Sequence, residues 1–225
     1  MNKLKLFGLA LLLSTQVQAY NDEFLETFSG ENGGVEYADC SVDMLTTQEK
    51  KDLQWGECAS QYSVGSVGPA GGWVFSISDD GYHGLEAAPK DVHGKWNCYG
   101  KSLEGKALRR GLGEGRENTR EILDAGCGGI AALADNYAVN GYDDWYLPSH
   151  GELELMWTEI REIGDFQLTG GFPHTLYWTS TTNETYKHPA RASRLIWGYV
   201  RDFTNGWSNL AEKTFNFRAR PMRDF

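Results

Sequence analysis

The chain has 225 residues, of which 40% are hydrophobic, 23% charged and 13% aromatic. That apolar fraction is too high for a disordered chain and too low for a multi-span membrane protein. A net charge of −10 argues against nucleic acid as a partner. The 27 glycines exceed the roughly 7% of average proteins. With eight Trp, eleven Tyr and ten Phe, they suggest turns and short strands stacked on large rings rather than a helical bundle.

Met1 to Ala19 reads as a secretory signal. Lys3 and Lys5 form the basic start, Leu6 to Leu13 the apolar run, and Val17-Gln18-Ala19 the small-residue cleavage pattern. The run falls short of the ~20 residues of a spanning helix, so no stable membrane span is expected. Export gives a periplasmic, secreted or cell-surface protein. It also changes the meaning of Cys40, Cys58, Cys98 and Cys127. An even count in an exported chain suggests two disulfides, with three pairings open. Sequence order favours Cys40–Cys58 and Cys98–Cys127, since each closes a modest local loop. Cys-x-x-Cys spacing is absent and no His is suitably placed, which argues against zinc.

Tyr20 to Val64 is an acidic N-terminal extension carrying Asp22, Glu23, Glu26, Glu31, Glu36, Asp39 and Asp43, with a short helix at Thr46 to Leu53. A compact domain, 65–225, follows. The turn cluster Gly68-Pro69-Ala70-Gly71-Gly72 leads into a strand at Trp73 to Ser78. Asp79-Asp80-Gly81 turns the chain toward a hairpin partner near Gly84 to Ala88. A Gly- and Lys-bearing loop runs from Cys98 to Gly115. Asn118 is placed to cap a helix over Glu121 to Ala125. A second helix covers Ile130 to Tyr137, with Ile130, Leu133 and Tyr137 on one face. Asp144 to Pro148 reads as a short buried strand.

The next helix is the clearest element. Ser149 and Glu152 form a capping box, and Leu153, Met156, Trp157, Ile160 and Ile163 recur at helical spacing up to Gly164. Strands follow at Leu176 to Thr181 and Leu195 to Arg201, then a turn at Asn205-Gly206. At the end Phe215, Phe217 and Ala219 alternate with Asn216, Arg218 and Arg220, a period of two that places Phe inward and Arg outward. Strands, then two or three helices, then strands, joined by long loops, define an α+β class.

Five stretches in fixed order resemble one family. They are Gly68 to Phe75, His83 to Pro89, Gly141 to Ser149 with Glu152-Leu153, Tyr177 to Thr181, and Phe217 to Pro221. Together they are similar to the C-terminal domain family of the Legionella collagen-like adhesin, whose members include many exported bacterial proteins. The resemblance covers about Gly65 to Phe225 and omits the extension. It implies a C-type-lectin-like fold of short antiparallel strands, and binding of sulfated polysaccharide. The chain departs from the family in its acidic balance and in having no collagen-like stalk.

The last forty residues differ from the rest. Tyr186 to Phe225 holds eight basic and three acidic residues. One reading is a docking face for an anionic glycan, since arginine forks match sulfate and carboxylate. The other is internal pairing with the acidic remainder, the commoner fate of charge runs. Trp178 and Trp197 sit within strands and belong to the core, whereas Trp207, with Asn209, lies on a loop. The candidate ligand residues are Tyr186, Lys187, His188, Arg191, Trp207, Asn209, Arg218 and Arg220.

No cofactor is expected. The Glu-Pro-Asn and Trp-Asn-Asp triplets by which lectins of this fold hold Ca²⁺ are absent. Asp79-Asp80 and Asp143-Asp144 are oxygen-rich pairs that leave Ca²⁺ open, but turns explain them better. The five His are scattered and no Gly-x-Ser-x-Gly occurs. The formylglycine-generating enzymes that share the lectin-like scaffold use late cysteines, and this chain has none after Cys127. A binding module for a glycan or surface polymer is therefore the first expectation. An assembly protein that contacts an envelope protein is the second, and an enzyme the least favoured.

Overall fold

The computed structural model describes residues 62–79, 81–186 and 195–225. The signal, the Thr46–Leu53 helix, Cys40, Cys58, Asp80, Lys187, His188 and Arg191 lie outside the described residues. Among those described, the class is α+β, with eight strands and three helices.

The first hairpin forms where the turn signal places it. β1 (Trp73–Ile77) pairs antiparallel with β2 (Gly84–Ala87), with a register shift between Val74 and Ser76. β8 (Met222–Asp224) adds to the other edge of β2, giving the order β1-β2-β8. Glu86 of β2 is fully buried, and its carboxylate accepts from Ala70 N at 3.1 Å and Gly72 N at 2.6 Å. The Gly68–Gly72 turn thus folds around one carboxylate, and Arg223 of β8 lies 3.4 Å from it.

A second sheet runs β3-β7-β4-β5-β6. Its strands are β3 (Val92–Lys95), β4 (Leu176–Asn183), β5 (Trp197–Asp202), β6 (Ser208–Glu212) and β7 (Asn216–Ala219). Every pairing is antiparallel except β4 with β7, so the sheet is mixed. One apolar cluster lies between this sheet and helices α1 (Gly115–Asp124) and α2 (Ile130–Asp135), built on Trp96, Ile122, Ile130, Trp178 and Phe217. A second, around Phe75, Tyr146, Met156, Tyr177 and Phe203, joins β1 and β2 to helix α3 (His150–Ile160).

Several local expectations need correction. Asn118 is not a cap. It is buried inside α1, and its amide donates to Arg109 O and Ser180 Oγ. The helix starts earlier because Gly115 lets it lie against Glu152 and Leu147, where a Cβ would clash. In α2 the buried face is Ile130, Ala131 and Ala134, which lets the helix approach β3 closely; Leu133 is half exposed and leans over Gly94. The Asp144–Pro148 stretch is buried at its C-terminal end but makes only one bridge, Tyr146 to Met222. Helix α3 has the expected capping box but ends at Ile160, leaving Ile163 outside it and exposed. The final alternation fails at both ends. β7 covers only Asn216–Ala219; Phe215 before it is exposed, and Arg220 after it turns inward.

Lys213 follows β6 and is fully buried, with its ammonium 4.1 Å from the Trp96 ring centroid and no hydrogen-bond partner among the described residues. Burial pushes it down to about 8, partly offset by the Glu184 charge. The unfolded chain keeps this proton up to the ordinary 10.5, so stability should rise as pH climbs from about 8 to 10.5, by about 3 kcal/mol. Lys213→Met keeps the stem and drops the charge. Against a cation–π loss of up to ~2 kcal/mol, it should still gain about 1 kcal/mol near neutral pH and flatten the alkaline rise. Urea midpoints of both proteins at neutral and alkaline pH check this. A less stable Lys213→Met protein would overturn it.

Candidate functional site

The loop between β3 and α1 is held along its length. Ala107 O accepts from Thr182 N at 2.8 Å, and Ala107 N donates to Glu121 at 2.5 Å. Arg109 O accepts from Asn118 and from Thr181 Oγ1 at 2.7 Å. Arg110 O accepts from Gly151 N at 2.8 Å, and Gly111 O from Ser149 Oγ at 2.6 Å. Gly113 N donates to the buried Glu152 at 2.9 Å. Satisfied by β4 and α3, this backbone has little freedom left, yet it presents Leu108, Arg110 and Leu112 outward, with Leu112 59% exposed.

Arg110 is the notable cation here. Its neighbour Arg109 pairs with Glu121 at 2.7 Å and Glu114 at 3.4 Å. Arg110 meets no carboxylate among the described residues. Instead its guanidinium carbon lies 4.5 Å over the Tyr199 ring, and Nη2 lies 3.2 Å from His150 Nε2.

Four elements meet at this point. His150 is the first residue of α3, fixed by the Ser149 cap and by its own N–H to Thr181 Oγ1 at 3.0 Å. Tyr199 and Arg201 share a face of β5, and Ser208 of β6 stands opposite Arg201. Ser208 Oγ lies 2.7 Å from His150 Nε2. Asn183 at the end of β4 donates to Tyr199 OH at 2.8 Å, its own carbonyl oriented by Thr185 N and Tyr186 N. Arg201 reaches Glu154 of α3 at 3.3 Å and Gly206 O at 2.6 Å, while its buried Nε has no hydrogen-bond partner among the described residues. Gly206 sits where a Cβ would come 2.5 Å from the Trp157 ring, so the β5–β6 turn lies flat on α3.

Bond counting defines the chemistry. Arginine only donates, so His150 Nε2 is an acceptor, its ring proton sits on Nδ1, and Ser208 donates to the same Nε2. Tyr199 OH accepts from Asn183 and, at 3.5 Å, from Arg110 Nη1, so the N–H and O–H groups with no acceptor among the described residues are the remaining Arg110 N–H groups, His150 Nδ1–H and the Tyr199 hydroxyl hydrogen. All are donors. Burial, and then the charges of Arg110 and Arg201, push His150 down to about 4, only partly opposed by Glu154. Such an imidazole is a weak base at neutral pH, which favours binding over activation of Ser208 as a nucleophile.

The residues singled out in the sequence fare unequally. Trp207 is 59% exposed and Asn209 is exposed, flanking Ser208 on β6 and its turn. Tyr186 is partly exposed, with its ring 5.5 Å from that of Trp197. Trp178 and Trp197 are buried, as expected. Arg218 and Arg220 do not form an outward pair. Both grip Asp91, at 3.0 Å and 2.6 Å, and Arg220 is 1% exposed. Internal pairing is the outcome there. Asp144, one of the oxygen-rich pair, is bound by Arg223 at 2.7 Å. No group of three metal-ligating side chains occurs among the described residues. Arg110, His150 and Ser208 were not singled out as ligand residues, because they lie in three separate segments and form no motif. The one local signal was the Arg109-Arg110 pair inside a glycine-bearing loop.

Comparison with protein-family models gives no match, and comparison with curated proteins gives none either.

Proposed function

We propose that this chain is an exported binding module. Its 65–225 domain has a C-type-lectin-like architecture and holds an anionic glycan at the Arg110–His150–Tyr199–Ser208 cluster. The carrying observation is the set of unfilled donors around an arginine that meets no carboxylate among the described residues. A group that only accepts, such as a sulfate or carboxylate, completes such a set, whereas a neutral hydroxyl wastes its own donor. The exposed Trp207 beside Ser208 offers a ring face for sugar C–H groups. The basic C-terminal face plays a smaller part in this reading, because Asp91 holds both of its central arginines and Arg220 is buried.

A sulfated-glycan array read at low and moderate salt tests the reading. Binding should weaken with salt, and Arg110→Glu should remove about tenfold or more of the affinity while leaving the fold intact. No glycan signal at either salt would reject it. The exposed Leu108 and Leu112 favour a second reading, a protein partner at the same loop. A pull-down of an envelope protein that is lost in Leu112→Asp, with no glycan signal, would favour that reading instead.

A further inference from the structure

We propose that the Arg110–His150–Ser208 cluster takes up one proton together with its anion, so that anion affinity rises as pH falls. The inference rests on reading the cluster as an anion site and adds how that site is regulated.

The geometry supplies both protonation states of His150. With the ring neutral, Nε2 accepts from Arg110 Nη2 at 3.2 Å and from Ser208 Oγ at 2.7 Å. A proton on Nε2 faces a guanidinium that cannot accept it. Ser208 has a second acceptor in place, Val200 O at 3.4 Å. Turning its hydrogen toward Val200 O frees the hydroxyl lone pairs to accept from a protonated Nε2 without moving a heavy atom. The Arg110 contact is the one that must be released, and an entering oxyanion gives Arg110 a charged acceptor in exchange for a neutral one.

The charged and titratable groups facing His150 come from each packed element. Arg110 stands on the loop, Arg201 and Tyr199 on β5, and Glu154 on α3 itself. Burial, together with two guanidiniums against one carboxylate, opposes an imidazolium and holds His150 near 4. A bound anion reverses the imbalance. By linkage, each unit by which the anion raises the His150 titration makes anion binding tenfold tighter once the ring is protonated.

The test is an NMR titration of the His150 ring in the whole chain, with inorganic sulfate against chloride at matched ionic strength. His150 should titrate near 4 in chloride and at least one unit higher in saturating sulfate. Arg110→Gln should raise the chloride value and abolish the sulfate-dependent shift. Ser208→Ala should keep sulfate binding but narrow the shift, since the protonated ring loses its acceptor. Sulfate that perturbs the Tyr199 and Ser208 amides without moving the His150 titration would overturn the proton linkage and leave the anion site standing. Sulfate that perturbs neither amide would overturn both.

Discussion

Arg220→Ala should destabilise the domain by about 3–5 kcal/mol, as expected when one partner of a buried ion pair is removed. The side chain is 1% exposed and has four acceptors: Asp91 Oδ1 at 2.6 Å, Ala88 O at 3.1 Å, Gly164 O at 2.6 Å and Asp165 O at 3.0 Å. Its guanidinium carbon also lies 4.1 Å from the Phe166 ring centroid. Truncation leaves three carbonyls with a lost donor and the largely buried Asp91 short of a charge. Arg218→Ala is the control. Arg218 is 22% exposed and, among the described residues, bonds only to Asp91 and His174 O, so its loss should cost less. Urea unfolding of both variants gives the comparison. If Arg220→Ala keeps the wild-type midpoint but abolishes glycan binding, the outward docking face is restored and the buried pair is wrong.

Replacing Cys98 and Cys127 together by Ala should cost about 3–4 kcal/mol. The two residues are 29 apart in sequence, and opening that loop returns entropy to the unfolded chain. Their Cα atoms are 5.4 Å apart, and Cys127 is buried against the core shared by α1, α2 and the large sheet. Asn97 and Cys98 both hold a left-handed backbone, at φ 68° and 52°, so the bridge also keeps a disfavoured turn in place. The double variant should unfold at lower denaturant, with a slope that stays the same or steepens, because the unbridged denatured chain is less compact. Reductant alone is the weaker experiment, since it acts on every cysteine in the chain. An unchanged midpoint would show that the bridge contributes nothing.

Arg110 and Arg220 exchange the roles their sequence positions suggest. Arg220 sits in an alternating run that reads as an outward stripe, yet β7 ends one residue before it and Asp91, far away in the chain, draws it inside. Arg110 sits in an unpatterned loop, yet its backbone is fastened by β4 and α3 and its side chain is left outside over Tyr199. In both cases the deciding partner is remote in sequence. No spacing rule reports such a contact.

Local rules were reliable where the cause was local. The capping box at Ser149 and Glu152, the turn before Gly84 and the placement of Trp178 in the core all follow from neighbouring residues and appear as read. The close pairing of Cys98 with Cys127 follows from the same short-range logic. Helix limits were less legible, because α1 begins where Gly115 can touch Glu152 and not where the nearest capping residue stands. The sequence by itself determined the α+β class, the position of the main elements and the surplus of basic residues at the end. Only the tertiary structure decided which of those charges are cancelled and which remain exposed, because a charge's fate depends on what other segments bring within a few ångströms of it.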